Sequence, residues 1–97
     1  MARVTFISRM TVRPSHEQEF IRVCRKLQEH VRAHEPDTVY FEFFRLREPN
    51  RYMVLESFKN EAAEKAHIGS PILTELLPVF VAAVDGTWER EYFDPLT

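Results

Sequence analysis

Glycine is nearly absent. Gly69 and Gly86 are the two in 97 residues, and they stand far apart, so no Gly-rich loop can cradle a phosphate. Cysteine is rarer still: Cys24 is alone. A disulfide within the chain is therefore impossible, and a free thiol suits a reducing compartment. Charge of one sign is lacking too. The net charge is −2, with both signs mixed along the chain, which gives no pull toward nucleic acid or an anionic membrane surface. No apolar run approaches the roughly 20 residues that a membrane span needs, and the first residues carry no apolar signal core. The expectation is a cytoplasmic protein. Repeats, linkers and low-complexity segments are also missing, so residues 1–97 read as a single domain.

What is present is apolar and aromatic. Hydrophobic residues make up 44% of the chain and eight are phenylalanine, a globular composition. A chain this size buries only about 60–65% of its unfolded surface, so further burial in an oligomer would help it.

The periodicities alternate between strand and helix. "VTFISRMTV" (Val4–Val12) sets Val4, Phe6, Ser8, Met10 and Val12 on one face, the pattern of a half-buried strand. Ser15 and Gln18 have capping-box spacing. Behind them Phe20, Val23, Cys24, Leu27 and Val31 recur at helical spacing to about His34. Pro36 closes that helix. "TVYFEFFRL" (Thr38–Leu46) predicts a second strand, with Val39, Phe41 and Phe43 on one face. Pro49-Asn50 turns the chain. "RYMVLESFK" (Arg51–Lys59) follows as a third strand, with Met53 and Leu55 opposed to Tyr52, Val54, Glu56 and Phe58. Asn60 can cap a second helix. Gly69 ends it, and Ser70-Pro71 starts a third, with a kink or break expected at Thr74–Leu77 because of Pro78. "TWEREYF" (Thr87–Phe93) is a last strand at or near an edge.

The order β-α-β-β-α-α-β predicts an α+β, ferredoxin-like antiparallel sheet with helices on one face. The second and third strands carry large apolar groups on both faces, and helices can cover only one. The other face would be an unusually large exposed patch. Two such sheets packed face to face would bury it, so a homodimer is expected.

Three segments carry a family resemblance: "VRP" at the end of the first strand, "HEPDTVYFEFFR", and "VLESFKNEAAEKAHIGSP". The last is the most specific, through Glu56, Ala62, Ala66, His67, Ser70 and Pro71. Over nearly its whole length the chain resembles the antibiotic biosynthesis monooxygenase family of dimeric α/β barrels. That resemblance implies a pocket, a dimer and, in some members, oxidation of hydroquinones or polyphenols by O₂ with no metal or flavin. Other members degrade haem, or are isomerases. The chain departs from the family pattern at Asp37, Phe41, Phe58 and Ile72, where glycine, tyrosine, tryptophan and histidine are usual. The haem-degrading branch would need other residues at Ser8, His67 and Leu77.

His67 is the candidate catalytic residue. Ala63 shares its helix face, and Ala62, Ala66 and Gly69 share another. Small residues leave room beside the sheet, and imidazole exchanges protons readily near neutral pH. The structural alternative is a His67 that bridges to Glu56 or terminates its helix. Ser8, the polar break in an apolar strand face, would look toward His67. Phe6, Met10, Phe41 and Phe43 would wall an aromatic slot between the sheet and the second and third helices, and the candidate substrate-binding set also includes Glu56, Phe58 and Ile72. Glu56 shares a face with Tyr52 and Phe58. That face points to the dimer side, where Arg90 or Arg9 could pair with Glu56. His30 and His34 have zinc-ligand spacing but no third ligand, so no metal is expected, and Cys24 on an apolar helix face reads as an inert thiol; that no cofactor is needed is what the resemblance implies. The resemblance favours a cofactor-independent monooxygenase acting on a small aromatic. An isomerase or lyase acting on an oxygenated metabolite is the alternative, as is a ligand-binding dimeric module without turnover.

Overall fold

The computed structural model describes residues 3–96. Four strands form one antiparallel sheet: β1 (Val4–Thr11), β2 (Thr38–Arg45), β3 (Arg51–Phe58) and β4 (Glu89–Phe93). Their spatial order is β2-β3-β1-β4. Helices α1 (Glu17–His34), α2 (Glu61–Ile68) and α3 (Pro71–Ala83) complete the chain. This is the expected α+β, ferredoxin-like arrangement. Among the described residues no single helix is long and apolar enough to cross a membrane.

The β1 alternation sends Phe6, Ser8 and Met10 inward, all nearly inaccessible to solvent. The apolar stripe of α1, Phe20, Val23, Cys24, Leu27 and Val31, is buried against them. Burial alone pushes the Cys24 thiol far up and keeps it protonated.

Register decides which face each strand turns to the helices. Phe6 on β1 lies opposite Glu56 on β3, and Glu56 lies opposite Phe41 on β2. Directly opposed residues of antiparallel strands share a face. Tyr52, Val54, Glu56 and Phe58 therefore lie under the helices, and Met53 and Leu55 face away. This reverses the expected assignment of β3. Alternation alone could not choose, because both faces of the strand are largely apolar. The Pro49-Asn50 turn makes the choice, with Asn50 at φ 60° in the left-handed conformation that asparagine tolerates. Val39 also leaves its expected face. A bulge between Thr38 and Tyr40 throws it out, 52% exposed.

Three local expectations fail for local reasons. The Ser15 capping box does not form, because Pro14–His16 make a 3-10 turn and α1 starts only at Glu17. The Ser15 hydroxyl instead meets His16 Nδ1 at 3.0 Å. α3 runs unbroken through Pro78; buried Leu76, Phe80 and Ala83 on either side outweigh one missing hydrogen bond. β4 starts at Glu89, two residues later than its alternation implied.

The helix-free face of the sheet is less apolar than expected, since Tyr52, Val54 and Phe58 are turned inward. It presents Ile7, Phe44, Met53, Leu55, Tyr40 and Phe93, flanked by the Arg9–Glu91 pair at 3.3 Å and the Arg51–Glu89 pair at 2.8 Å.

α2 is short and rests on its cap. Asn60 Oδ1 accepts the Ala63 amide at 2.9 Å. Asn60→Ala is expected to cost about 1 kcal/mol and Asn60→Asp much less. Urea midpoints would check this; equal losses in the two variants would show that the cap bond is not what holds the helix.

Candidate functional site

His67 is the one fully buried residue of α2. Ala63, on the same side, is half-buried, whereas Ala62 and Ala66 face solvent. The space beside the sheet is therefore not made by all the alanines, as expected, but by the shortness of α2 and its 64° bend into α3.

Both ring nitrogens of His67 meet carboxylates. Nδ1 lies 2.8 Å from Glu35 Oε1, and Nε2 lies 3.6 Å from Glu56 Oε1. Glu35 is placed by the end of α1, where its own amide donates to the Val31 carbonyl at 2.9 Å. A carboxylate can only accept, so Nδ1 carries the proton that bonds to Glu35. In the neutral ring Nε2 is then the free acceptor. The imidazole is wedged between Phe41 and Phe58, with ring centroids at 5.1 and 5.3 Å. Its orientation is thus fixed by packing and by one strong hydrogen bond.

Glu56 is 8% exposed. Burial pushes its carboxyl up to about 7; Arg90 opposes that rise, and Glu64 and Glu35 add to it. Near neutral pH it exists in both protonation states, 3.6 Å from an imidazole acceptor. Such a pair can hold one proton between them or pass it to a bound group.

These groups open onto a cavity of about 310 Å³, the size of a small ligand site. β1 contributes Phe6 and Ser8, β2 Phe41 and Phe43, and β3 Val54, Glu56 and Phe58. α1 adds Leu27; α2 adds Glu64, His67 and Ile68; α3 adds Leu73, Leu77 and Phe80; Trp88 and Arg90 close the β4 side. The walls are mostly apolar, and the polar groups are few and convergent.

Of the residues singled out from the sequence, His67, Ser8, Phe6, Phe41, Phe43, Glu56 and Phe58 share this cavity. Met10 and Ile72 do not line it. Met10 is wholly inside the core below, and Ile72 packs against that core from α3. Glu56 faces the cavity rather than the helix-free face, and no arginine lies within ion-pair distance of it among the described residues. Ser8 and His67 border the same space, and the hydrogen-bond partner of Ser8 is Arg90, at 3.4 Å. The His30 and His34 rings lie against each other at a tilt, with centroids 4.7 Å apart, and among the described residues no cluster of three metal-ligating groups exists.

Sequence reasoning gave no role to Glu35 and placed Arg90 on the wrong side. Glu35 stood in the quoted "HEP" segment, where a helix end directs it back over the sheet. Arg90 alternates with Trp88 and Tyr92, but only the pairing Ser8↔Arg90 shows which face they share.

The raised Glu56 carboxyl has a consequence for stability. Folded, it keeps its proton up to about pH 7; unfolded, it loses it around the ordinary 4.5. Between those values the folded state binds more protons, so this group's contribution falls as pH rises. Glu56→Gln removes that loss. Its melting temperature relative to the parent is expected to rise from roughly pH 5 to pH 8, worth up to about 3 kcal/mol. A difference that stays flat with pH would show a carboxyl that ionises as in water.

The fold has counterparts. A crystal structure titled as a "putative antibiotic biosynthesis monooxygenase" from Caulobacter crescentus CB15 superposes with a TM-score of 0.93 at 25% identity, covering 99% of this chain and 92% of that one. A conserved protein from Methanosarcina mazei Go1 gives 0.86 at 24% identity, with 97% and 93% coverage. In sequence, "Putative monooxygenase YcnE" of Bacillus subtilis (strain 168) is 38% identical over 56 residues, 58% of this chain, and the match spans 59% of that relative's length. The family model for antibiotic biosynthesis monooxygenase matches residues 3–78, from β1 into α3 with His67 included, and the chain belongs to that family.

Proposed function

We propose that the protein is a cofactor-independent monooxygenase that oxidises a small hydroquinone or polyphenol with O₂. The observation that carries this reading is the Glu35–His67–Glu56 arrangement opening onto an apolar, aromatic-walled cavity. His67 Nε2 takes the phenolic proton, and Glu35 steadies the charged imidazolium that results. The phenolate transfers one electron to O₂; semiquinone and superoxide combine, and the His67 proton completes a ring hydroperoxide. Cleavage of the O–O bond releases water and leaves a hydroxyquinone. Hydroquinone and O₂ thus give hydroxyquinone and one water, and the substrate supplies every electron. The apolar walls exclude bulk water, which strengthens the polar contacts inside.

A second reading is proton transfer alone. It is favoured by the two proton-exchanging groups, His67 and Glu56, which face each other with no redox centre required. An isomerase acting on a small oxygenated metabolite would use them as base and acid. Turnover under argon separates the two.

The same reading places the chain in the cytoplasm, consistent with its single free thiol, and in a homodimer through the helix-free sheet face. Half-exposed Tyr40 and Phe93 and partly exposed Leu55 and Met53 support that face. Light scattering is expected to give twice 11.5 kDa, and Leu55→Glu, which buries a charge in the contact, to give a monomer. A monomeric parent would refute this contact.

Chelator-treated protein offered hydroquinones in an oxygen electrode should consume O₂. His67→Ala should lower kcat/KM by roughly 10²–10⁴, and Glu35→Gln by less, because the imidazole is retained but less well oriented. No uptake by the parent, or uptake unchanged in His67→Ala, would refute the oxygenase reading.

A further inference from the structure

The cavity has a second polar end that this chemistry leaves unused. Arg90 on β4 lies opposite Ser8 on β1, with its Nε 3.4 Å from the Ser8 hydroxyl. The guanidinium carbon sits 4.5 Å from the centroid of the Phe6 ring, so the cation is held against the aromatic floor. Among the described residues its terminal nitrogens have no hydrogen-bond acceptor or ion-pair partner. Glu64, also on the wall, is engaged by the Tyr92 hydroxyl at 3.1 Å. Among the described residues Arg90 is the one arginine or lysine on that wall.

The two polar ends are set apart by the sheet. Glu56 lies beyond one edge of β1 and Arg90 beyond the other. With strands about 4.8 Å apart, their backbones stand roughly 10 Å from each other, with the Phe6 ring between the two side chains. An aromatic floor flanked by a carboxyl and a guanidinium suits a benzene ring with polar substituents on two sides. Arg90 is solvent-exposed at the cavity rim, and a guanidinium with free terminal N–H groups beside an apolar slot can receive a planar, two-oxygen anion.

We infer that the cavity selects aromatic substrates that carry a carboxylate on the ring bearing the reacting hydroxyl, and that Arg90 is the residue that reads the carboxylate. This rests on the reading of the cavity as a site for small aromatics, but not on any use of O₂.

The test is calorimetric titration under argon with 2,5-dihydroxybenzoate and its neutral isostere 2,5-dihydroxybenzamide. The parent protein should bind the acid about tenfold or more tighter than the amide, the worth of one charge-assisted pair. Arg90→Gln should bring that ratio to about one, and Arg90→Lys to an intermediate value. Amide affinity should fall much less than acid affinity in both variants, because the neutral amide has no ion pair to lose. A ratio near one in the parent, a ratio that survives Arg90→Gln, or failure of both compounds to bind would each overturn the proposal. A preference that depends on Arg90, in a protein that consumes no O₂ in air, would leave this inference standing and remove the oxygenase reading instead.

Discussion

The register between β1, β3 and β2 is the constraint from which the site follows. By pairing Glu56 with Phe6 on one side and Phe41 on the other, it turns a carboxyl under the helices where an apolar residue would ordinarily sit. A shift of one residue would move Glu56 to the other face and bring Leu55 in. The cavity would then be a plain hydrophobic core. The register depends in turn on a tight turn that one asparagine, in an uncommon backbone conformation, allows.

Once Glu56 is inside, the rest of the polar cluster answers it. A buried carboxyl needs partners or must stay protonated. Here it does some of both: its proton is held tightly, and the His67 ring stands beside it. His67 is fixed from behind by Glu35, so the cluster spans three elements, the end of α1, the last turn of α2 and the C-terminal half of β3. The second oxygen of Glu35 is buried without a partner among the described residues. Such an arrangement is costly for a small domain, and it is the kind of cost that accompanies proton-handling sites.

Much of the architecture was legible in the sequence. The inward row of β1, the apolar stripe of α1, the Asn60 cap and the turn at Pro49-Asn50 each follow from short-range chemistry, and all stand in the structure. His67, Ser8 and the phenylalanines that share the cavity were legible as well, because a polar residue in an apolar row has few reasons to be there. What was not legible was set by pairing across distance. The faces of β3, the direction of Arg90 and the meeting of Glu35 with His67 depend on which strand lies beside which. The bulge at Val39 and the 3-10 turn at Pro14–His16 were missed for a smaller reason: one extra residue or one early turn does not disturb periodicity enough to be read.

α2 closes the cavity, yet the one side chain it buries fully is an imidazole. Its neighbours are held by interlocking apolar rows, whereas α2 is held by a side-chain cap, a hydrogen bond to Glu35 and two aromatic edges. Elements with few buried apolar contacts open at far lower cost than the domain unfolds. The wall that carries His67 is therefore the helix whose seating rests most on polar contacts, with Gly69 and Ser70 joining it to α3. A displacement of α2 would break the His67–Glu35 bond, so the setting of the imidazole depends on the seating of the helix that carries it.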